Sequence, residues 1–131
     1  MAIVKSEISV LIVDDSVHVR TLLSVLMKKE GIVKVSQAID GEEALTVFNQ
    51  AKPTIVFLDY MLPKLSGMEV LKKIRATDSK VKIVMMSAVS TPSVVQMAKE
   101  NGASYYLIKP YSHEKLLEVM YHLIGEAGGS V

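Results

Sequence analysis

The amino-acid sequence predicts an α/β fold, a doubly wound parallel sheet of five strands with helices on both faces. Three observations predict it. Short apolar runs alternate five times with segments whose apolar residues recur at helical spacing. The strand-like runs are apolar on both alternations, which is typical of parallel strands buried on both sides. The length of 131 residues suits one domain, so we expect residues 1–131 to form a single domain with a core from about residue 8 to residue 124.

The first two strand and helix pairs are marked by clear start and stop residues. Ile8 to Val13 is predicted as a strand, and the helix after it begins behind Ser16, a suitable N-cap, and ends near Gly31. A strand over 33–39 and a helix over 42–50 form the second pair.

The other three pairs follow the same pattern. They are strand 54–58 with helix 67–75, strand 82–86 with a helix from Pro92 to Asn101, and strand 105–108 with helix 114–124. Proline is favoured in the first turn of a helix, where its missing N–H costs no hydrogen bond, and Pro92 fits that position. The final residues, GEAGGSV, are predicted to be a short mobile tail.

Composition and charge exclude several classes of function. The net charge is +1 with no basic run, so we expect no direct contact with nucleic acid. The absence of cysteine excludes disulfides, thiolate zinc sites and a cysteine nucleophile. No stretch approaches the roughly 20 apolar residues that span a bilayer, and no cleavable leader is visible, so we expect a cytoplasmic protein without membrane insertion.

Polar side chains follow four of the five predicted strands. They are Asp14 and Asp15 after the first strand, Asp59 after the third, Ser87 after the fourth and Lys109 after the fifth. In a parallel sheet the carboxyl ends of the strands share one edge, where ligands bind. Each feature alone has an ordinary explanation as a helix cap, a turn or an exposed strand end. Their coincidence favours a site.

The side chains at this edge suit phosphoryl transfer. Two carboxylates in close contact repel each other by on the order of 4 kcal/mol at the effective dielectric of a protein, and a dication removes that cost. Oxygen ligands without cysteine or histidine favour Mg²⁺. Lys109 and Ser87 add donors for phosphoryl oxygens, and an aspartate can act as the nucleophile that forms an acyl phosphate.

Four motifs together resemble those of response-regulator receiver domains of the stand-alone, CheY-like kind. They are VDDS at 13–16, FLDYMLPKLSG at 57–67, MSA at 86–88 and YLIKPY at 106–111. The resemblance covers about Ile8 to Ile124. It implies the flavodoxin-like strand order 2-1-3-4-5.

The resemblance also implies a role for each matching acidic residue. Asp59 would accept the phosphoryl group. Asp15 and Asp59 would bind Mg²⁺ together with the backbone carbonyl of Met61, and Asp14 would act on the metal through water.

A second set of implied roles concerns switching. Lys109 would pair with the phosphoryl group, and the Ser87 hydroxyl would bond to it. Tyr106 falls on the family's switch-aromatic position, so its ring is expected to turn inward when Ser87 moves toward the phosphate. A cis peptide bond is implied at Lys109-Pro110.

The expected function is that of a response regulator in a two-component phosphorelay, with chemotaxis or motility as the pathway that this architecture suggests. It would take a phosphoryl group from a histidine kinase or phosphotransfer protein, and its only catalysis would be its own phosphorylation and dephosphorylation. The downstream protein would dock on the face of the fourth helix, fifth strand and fifth helix. Those two helices carry more apolar residues than one buried stripe needs, namely Val94, Val95, Met97, Val119, Tyr121 and Ile124.

Departures from the family pattern lead to one hypothesis and leave alternatives open. Met61 and Val89, two residues after Asp59 and Ser87, cannot orient a water, so we expect slow self-catalysed dephosphorylation. One alternative is a metal-dependent aspartyl-phosphate phosphohydrolase, although Met61 replaces its general acid. A flavodoxin would need a glycine-rich phosphate loop where Asp14 and Asp15 stand. A receiver fragment of a larger regulator is the remaining alternative.

Overall fold

The computed structural model describes residues 4–127. Its strands are β1 (Ser9–Val13), β2 (Lys34–Ala38), β3 (Ile55–Asp59), β4 (Lys82–Ser87) and β5 (Tyr105–Ile108). Its α-helices are α1 (Val17–Lys29), α2 (Gly41–Ala51), α3 (Gly67–Thr77), α4 (Pro92–Glu100) and α5 (His113–Ala127). The strands form one parallel sheet in the order β2-β1-β3-β4-β5. This confirms the predicted fold class and strand order.

Helices cover both faces of the sheet because the strand side chains alternate between two apolar layers. Val10 and Ile12 of β1 face the layer under α1 and α5, whereas Leu11 and Val13 face the layer under α2, α3 and α4. All four side chains are fully buried. Central strands that are apolar on both alternations therefore reflect burial on both faces, as the sequence predicted.

Short connections at the carboxyl edge bring each helix close to the end of the preceding strand. The Ser16 hydroxyl accepts a 3.3 Å hydrogen bond from Val19 N–H and caps α1, as predicted. Ser66 and Glu69 form a capping box at the start of α3. Gly67 lets that helix start directly against β3, because a Cβ atom there would collide with the Asp59 carbonyl oxygen.

The bounds of most elements differ from the predicted ones by one or two residues, and the chain end differs more. A 3₁₀ turn at Lys5–Glu7 precedes β1 and was not predicted. α5 runs to Ala127, so the first three residues of the expected tail are helical. Packing of Leu123 and Ile124 in the core offsets the helix cost of Gly125, about 1 kcal/mol. The rest of the expected tail, residues 128–131, lies outside the described residues.

The apolar excess on α4 and α5 is smaller than the sequence suggested. Val119 and Ile124 are only 5% and 6% exposed and belong to the core under α5, so they do not contribute to a docking face. Val94, Val95 and Tyr121 are half-buried, and Met97 is 47% exposed. No described helix combines the length and the apolar character needed to cross a membrane.

Candidate functional site

Three carboxylates converge at the carboxyl edge of the sheet. Asp14 and Asp15 directly follow β1, and Asp59 ends the neighbouring β3. Val13 pairs with Leu58 in the parallel register, so the residues that follow them, Asp14 and Asp59, lie side by side. One oxygen of each carboxylate lies within 4.8 Å of one oxygen of the other two. The structure thus brings together the three acidic residues that the sequence singled out.

Asp14 is a buried carboxylate with an incomplete set of partners. It is 2% exposed, and its Oδ1 accepts a 2.9 Å hydrogen bond from Ser16 N–H. Its Oδ2 is buried and has no hydrogen-bond donor among the described residues. The nearest cation to that oxygen is the Lys109 ammonium, at 3.8 Å. A buried charged oxygen without a donor is costly, so this atom is available to a water or a cation.

Asp59 is buried beside Asp14, and that environment disfavours its charge. Burial raises the pKa of the Asp59 carboxyl, and the nearby Asp14 charge raises it further. Lys109 Nζ, 3.5 Å from Oδ1, and the Met61 N–H, which donates to Oδ1 at 3.2 Å, act in the opposite direction. The causes that raise the pKa of Asp59 outweigh Lys109 and the Met61 N–H, as expected where two buried carboxylates share one lysine.

Ser87 and Lys109 lie side by side across the ends of β4 and β5. Lys109 N–H donates to the Ser87 carbonyl at 2.8 Å, and Ser87 follows Met86, the register partner of Asp59. Ser87 is 2% exposed, and its Oγ accepts from Val89 N–H at 2.9 Å. No described group accepts the proton of this hydroxyl, which leaves it as a donor for a ligand.

The cis bond expected before Pro110 is confirmed, whereas the expected inward turn of the Tyr106 ring on phosphorylation stays a prediction. The Lys109-Pro110 peptide bond is cis. The Tyr106 ring points inward and is 7% exposed, and its hydroxyl donates a 2.6 Å hydrogen bond to the Val89 carbonyl. The Val89 carbonyl, on the loop after β4, therefore holds the Tyr106 ring in its buried position.

Sequence reasoning missed several polar groups that shape this edge. Asp40 follows β2, is buried, caps α2 through Glu43 N–H at 2.8 Å and pairs with Lys64 at 3.5 Å. The Glu43 N–H is the main cause that lowers the Asp40 pKa. The position of Asp40 directly before Gly41, where α2 begins, was the sequence signal that could have identified it as a helix cap. Arg20 of α1 contacts the main chain of Asp14 and carried no such signal.

The donor set fits a hard divalent cation. It consists of three clustered carboxylates, one of them exposed at the surface, and includes a buried oxygen that lacks a donor. Oxygen ligands of this kind match Mg²⁺, which keeps several waters and takes one or two carboxylates. The Met61 side chain is 66% exposed and ends in a thioether, a soft ligand that does not suit Mg²⁺, so its backbone carbonyl is the group that could contribute a ligand.

Comparison with known proteins agrees with this geometry. The family model of the response regulator receiver domain matches residues 10–121. The chemotaxis protein CheY of Listeria monocytogenes is 34% identical over 113 residues, which cover 86% of this chain and 95% of the relative. Sporulation initiation phosphotransferase F of Bacillus subtilis is 32% identical over 111 residues, which cover 85% and 89%.

Solved structures show the same relationship. A chain in the crystal structure of the CheX-CheY-BeF3-Mg²⁺ complex from Borrelia burgdorferi matches with a TM-score of 0.85 and 31% identity, covering 89% of each chain. The family model spans most of the described residues, and the strand order and the acidic cluster are those expected of that family. This chain therefore belongs to the response regulator receiver domains of two-component systems.

Proposed function

We propose that this chain is a phosphorylation-controlled switch in which Asp59 accepts the phosphoryl group. One observation carries the proposal: the Lys109 ammonium lies 3.5 Å from Asp59 and 3.8 Å from Asp14, at an edge where both carboxylates are buried. Such an arrangement offers a nucleophile and a cation to the same incoming group.

The proposed transfer starts from a phosphohistidine on a histidine kinase or a phosphotransfer protein. A carboxylate oxygen of Asp59 attacks phosphorus in line, the P–N bond breaks, and its electron pair returns to the imidazole, which takes up a proton. The product is an acyl phosphate on Asp59. Lys109 Nζ and the Ser87 hydroxyl donate to phosphoryl oxygens and stabilise their charge.

Mg²⁺ is the proposed cofactor. Asp15, Asp59 and the Met61 carbonyl would hold it directly, and Asp14 would act through water. When bound, the ion supplies neutralisation of the carboxylates and of the phosphoryl oxygens. The chain itself keeps one carboxylate oxygen of each of Asp14, Asp15 and Asp59 within 4.8 Å of one another, and the repulsion between these charges destabilises the metal-free state.

The switch is proposed to run from Ser87 through Val89 to Tyr106. The Ser87 hydroxyl that would donate to the phosphoryl group also accepts from Val89 N–H, and the Val89 carbonyl accepts from Tyr106. A shift of Ser87 toward the phosphoryl group would change both bonds. Phosphorylation thereby shifts the population of conformations on the surface of α4, β5 and α5.

That surface is the proposed docking site for a downstream protein. It offers exposed Met97 and Ile108, each 47% exposed, next to half-buried Val94, Val95 and Tyr105. The chemotaxis relatives support a pathway in chemotaxis or motility. The lack of a basic run supports signalling through protein contacts, without direct nucleic-acid binding, and the proposed location is the cytoplasm.

Intact mass after incubation with acetyl phosphate tests the proposal. We expect wild type to gain one phosphoryl group only in the presence of Mg²⁺, and Asp59→Asn to gain none. Asp78→Asn, at the opposite edge of the sheet, serves as the matched control and should gain the group as wild type does. A metal-independent gain, a gain in Asp59→Asn, or no gain in wild type would overturn the proposal.

A further inference from the structure

Arg20 connects α1 to the acidic site and to the edge strand. Its Nη1 donates a 2.8 Å hydrogen bond to the main-chain carbonyl of Asp14, and its Nε donates a 3.0 Å hydrogen bond to Gln37 Oε1 on β2. Gln37 Nε2 in turn donates to Ser24 Oγ of α1 at 3.0 Å. The guanidinium is therefore fixed by two neutral acceptors in different elements.

The Arg20 charge lies beside the acidic cluster without neutralising it. Within residues 4–127, Arg20 makes no ion pair of 4 Å or less with a carboxylate. A planar guanidinium can serve two acceptors at once, and here both are neutral. As a result, the carboxylates stay open to a cation, although an arginine stands close enough to contact the backbone of one of them.

The main chain of Asp14 is held from two sides. Its N–H donates to the Ala38 carbonyl at 3.1 Å, and its carbonyl accepts from Arg20. That carbonyl belongs to the peptide unit that joins Asp14 to Asp15. Since a peptide unit is planar, fixing its carbonyl also fixes the backbone nitrogen of Asp15.

Asp15 depends on this backbone for its position. It is exposed, and no hydrogen bond or ion pair within the described residues holds its carboxylate. Its distance from Asp14 and Asp59 is thus set by the main chain that carries it.

We propose that Arg20 is a positioning residue for Asp15: by clamping the Asp14 carbonyl it holds the Asp15 carboxylate in place for a divalent cation, while Gln37 keeps the guanidinium away from that carboxylate. The inference rests on the proposed Mg²⁺ site. It assigns to an arginine of α1 a role in metal binding although the arginine itself is a cation.

Charge alone and positioning predict opposite signs. If Arg20 acted only through its charge, its neutralisation would tighten the binding of a dication, because a nearby positive charge is removed. If Arg20 positions Asp15, the same substitution weakens binding. Partners that orient metal ligands typically contribute 10 to 100-fold in affinity, and we expect about tenfold here, at the low end of that range.

Calorimetric titration of the metal-free protein with MgCl2 distinguishes the two. Arg20→Gln should bind about tenfold more weakly than wild type. Arg20→Lys should also bind more weakly, because the shorter lysine side chain ends in a point charge and lacks the rigid fork that meets both acceptors in Arg20. Gln37→Ala should weaken binding as well, since the freed guanidinium can compete for the carboxylates. Lys34→Gln, at the far end of β2, removes one exposed positive charge and should bind as wild type does.

A double substitution shows whether Arg20 acts through Asp15. In an Asp15→Asn background, Arg20→Gln should cause no further loss of affinity. Thermal unfolding without metal, measured on every variant, identifies any that is destabilised. Arg20→Lys then carries the comparison in place of Arg20→Gln, because it keeps the charge and changes only the hydrogen-bond geometry.

The outcomes separate this inference from the proposed function. If wild type binds no Mg²⁺, or if Asp15→Asn binds as tightly as wild type, the metal site itself is wrong. If Asp15 is required but Arg20→Gln binds Mg²⁺ as tightly as wild type or more tightly, only the role of Arg20 is overturned. An additional loss in the Asp15→Asn background would also overturn it.

Discussion

The Tyr106 hydroxyl donates a 2.6 Å hydrogen bond to the Val89 carbonyl and so joins the middle of β5 to the loop after β4. The N–H of the same Val89 donates to Ser87 Oγ at 2.9 Å. Val89 therefore has one hydrogen bond toward the acidic site and one toward the surface of α4, β5 and α5. Val89 is thus the single residue that lies between Ser87 and Tyr106 in this series of hydrogen bonds.

Tyr106→Phe should loosen the loop after β4. The substitution leaves the ring in place and removes the donor to Val89, which we expect to cost about 1 kcal/mol of unfolding free energy. Amide hydrogen exchange over residues 88–91 should become faster. Tyr111→Phe is the control, because the hydrogen bond that the Tyr111 hydroxyl makes within the described residues is a long one to the Met86 sulfur, at 3.6 Å. Equal exchange in both variants would show that the Tyr106 bond does not restrain the loop.

Met61→Asn should shorten the lifetime of the phosphorylated protein. Met61 is exposed next to Asp59 and cannot orient a water for attack on the acyl phosphate. An asparagine there can do so, and we expect the rate of phosphoryl loss to rise by roughly tenfold. The decay is followed by intact mass after removal of acetyl phosphate. Met61→Leu should decay as wild type does, and rapid decay of wild type that Met61→Asn does not accelerate would contradict the hypothesis.

Asp59→Asn should stabilise the metal-free protein. Burial and the Asp14 charge raise the pKa of Asp59, so its ionised form is disfavoured in the folded state at neutral pH. Replacing it with a neutral amide should add about 1 kcal/mol to the free energy of unfolding, as is common when a functional-site residue is removed. The difference is measured by urea unfolding at pH 7 without metal.

Addition of Mg²⁺ should reduce or reverse that difference. A cation that binds only the folded wild type raises its stability by mass action, whereas Asp59→Asn lacks a ligand and gains less. If Asp59→Asn is the less stable protein without metal, the carboxylates do not repel one another in the way that the structure indicates.

Asp78 should contribute stability that depends on pH at the opposite edge of the sheet. Its Oδ1 accepts from Lys80 N–H at 2.8 Å and Val81 N–H at 2.9 Å, and the bond from Val81 is the main cause that lowers its pKa from 3.8. The contribution is complete above that value and is lost as the pH falls through the lower folded-state pKa. Asp78→Ala should lose about 1 kcal/mol at pH 7 and progressively less below about pH 4, as measured by urea unfolding. A loss that is independent of pH would contradict this.

The central strands could be predicted closely because burial on both faces leaves a continuous apolar run. The predicted start and end of β5, Tyr105 and Ile108, are those in the structure. Periodicity along α5 gave the right helix but the wrong exposed residues. Periodicity shows how many apolar residues a helix carries, whereas the width of the buried face depends on how α5 lies on the sheet. Val119 and Ile124 were therefore counted toward a docking face although they belong to the core.

The acidic residues of the site could be predicted from the sequence, whereas the contact that Arg20 makes beside them could not. Asp14, Asp15 and Asp59 each follow an apolar strand, and topology alone brings such positions to one edge. Arg20 lies six residues beyond Asp14 on an ordinary amphipathic helix, and its acceptor is a main-chain carbonyl. A hydrogen bond to the backbone leaves no residue type as a signal, so only the structure shows this contact.

Hydrogen–deuterium exchange with and without acetyl phosphate, in the presence of Mg²⁺, tests most directly whether Asp59 controls a distant surface. The account predicts that phosphorylation changes exchange over residues 87–95 and 105–109 in wild type and changes nothing in Asp59→Asn. Changes confined to the residues around Asp14, Asp15 and Asp59, with the loop after β4 and strand β5 unaffected in fully phosphorylated protein, would contradict it.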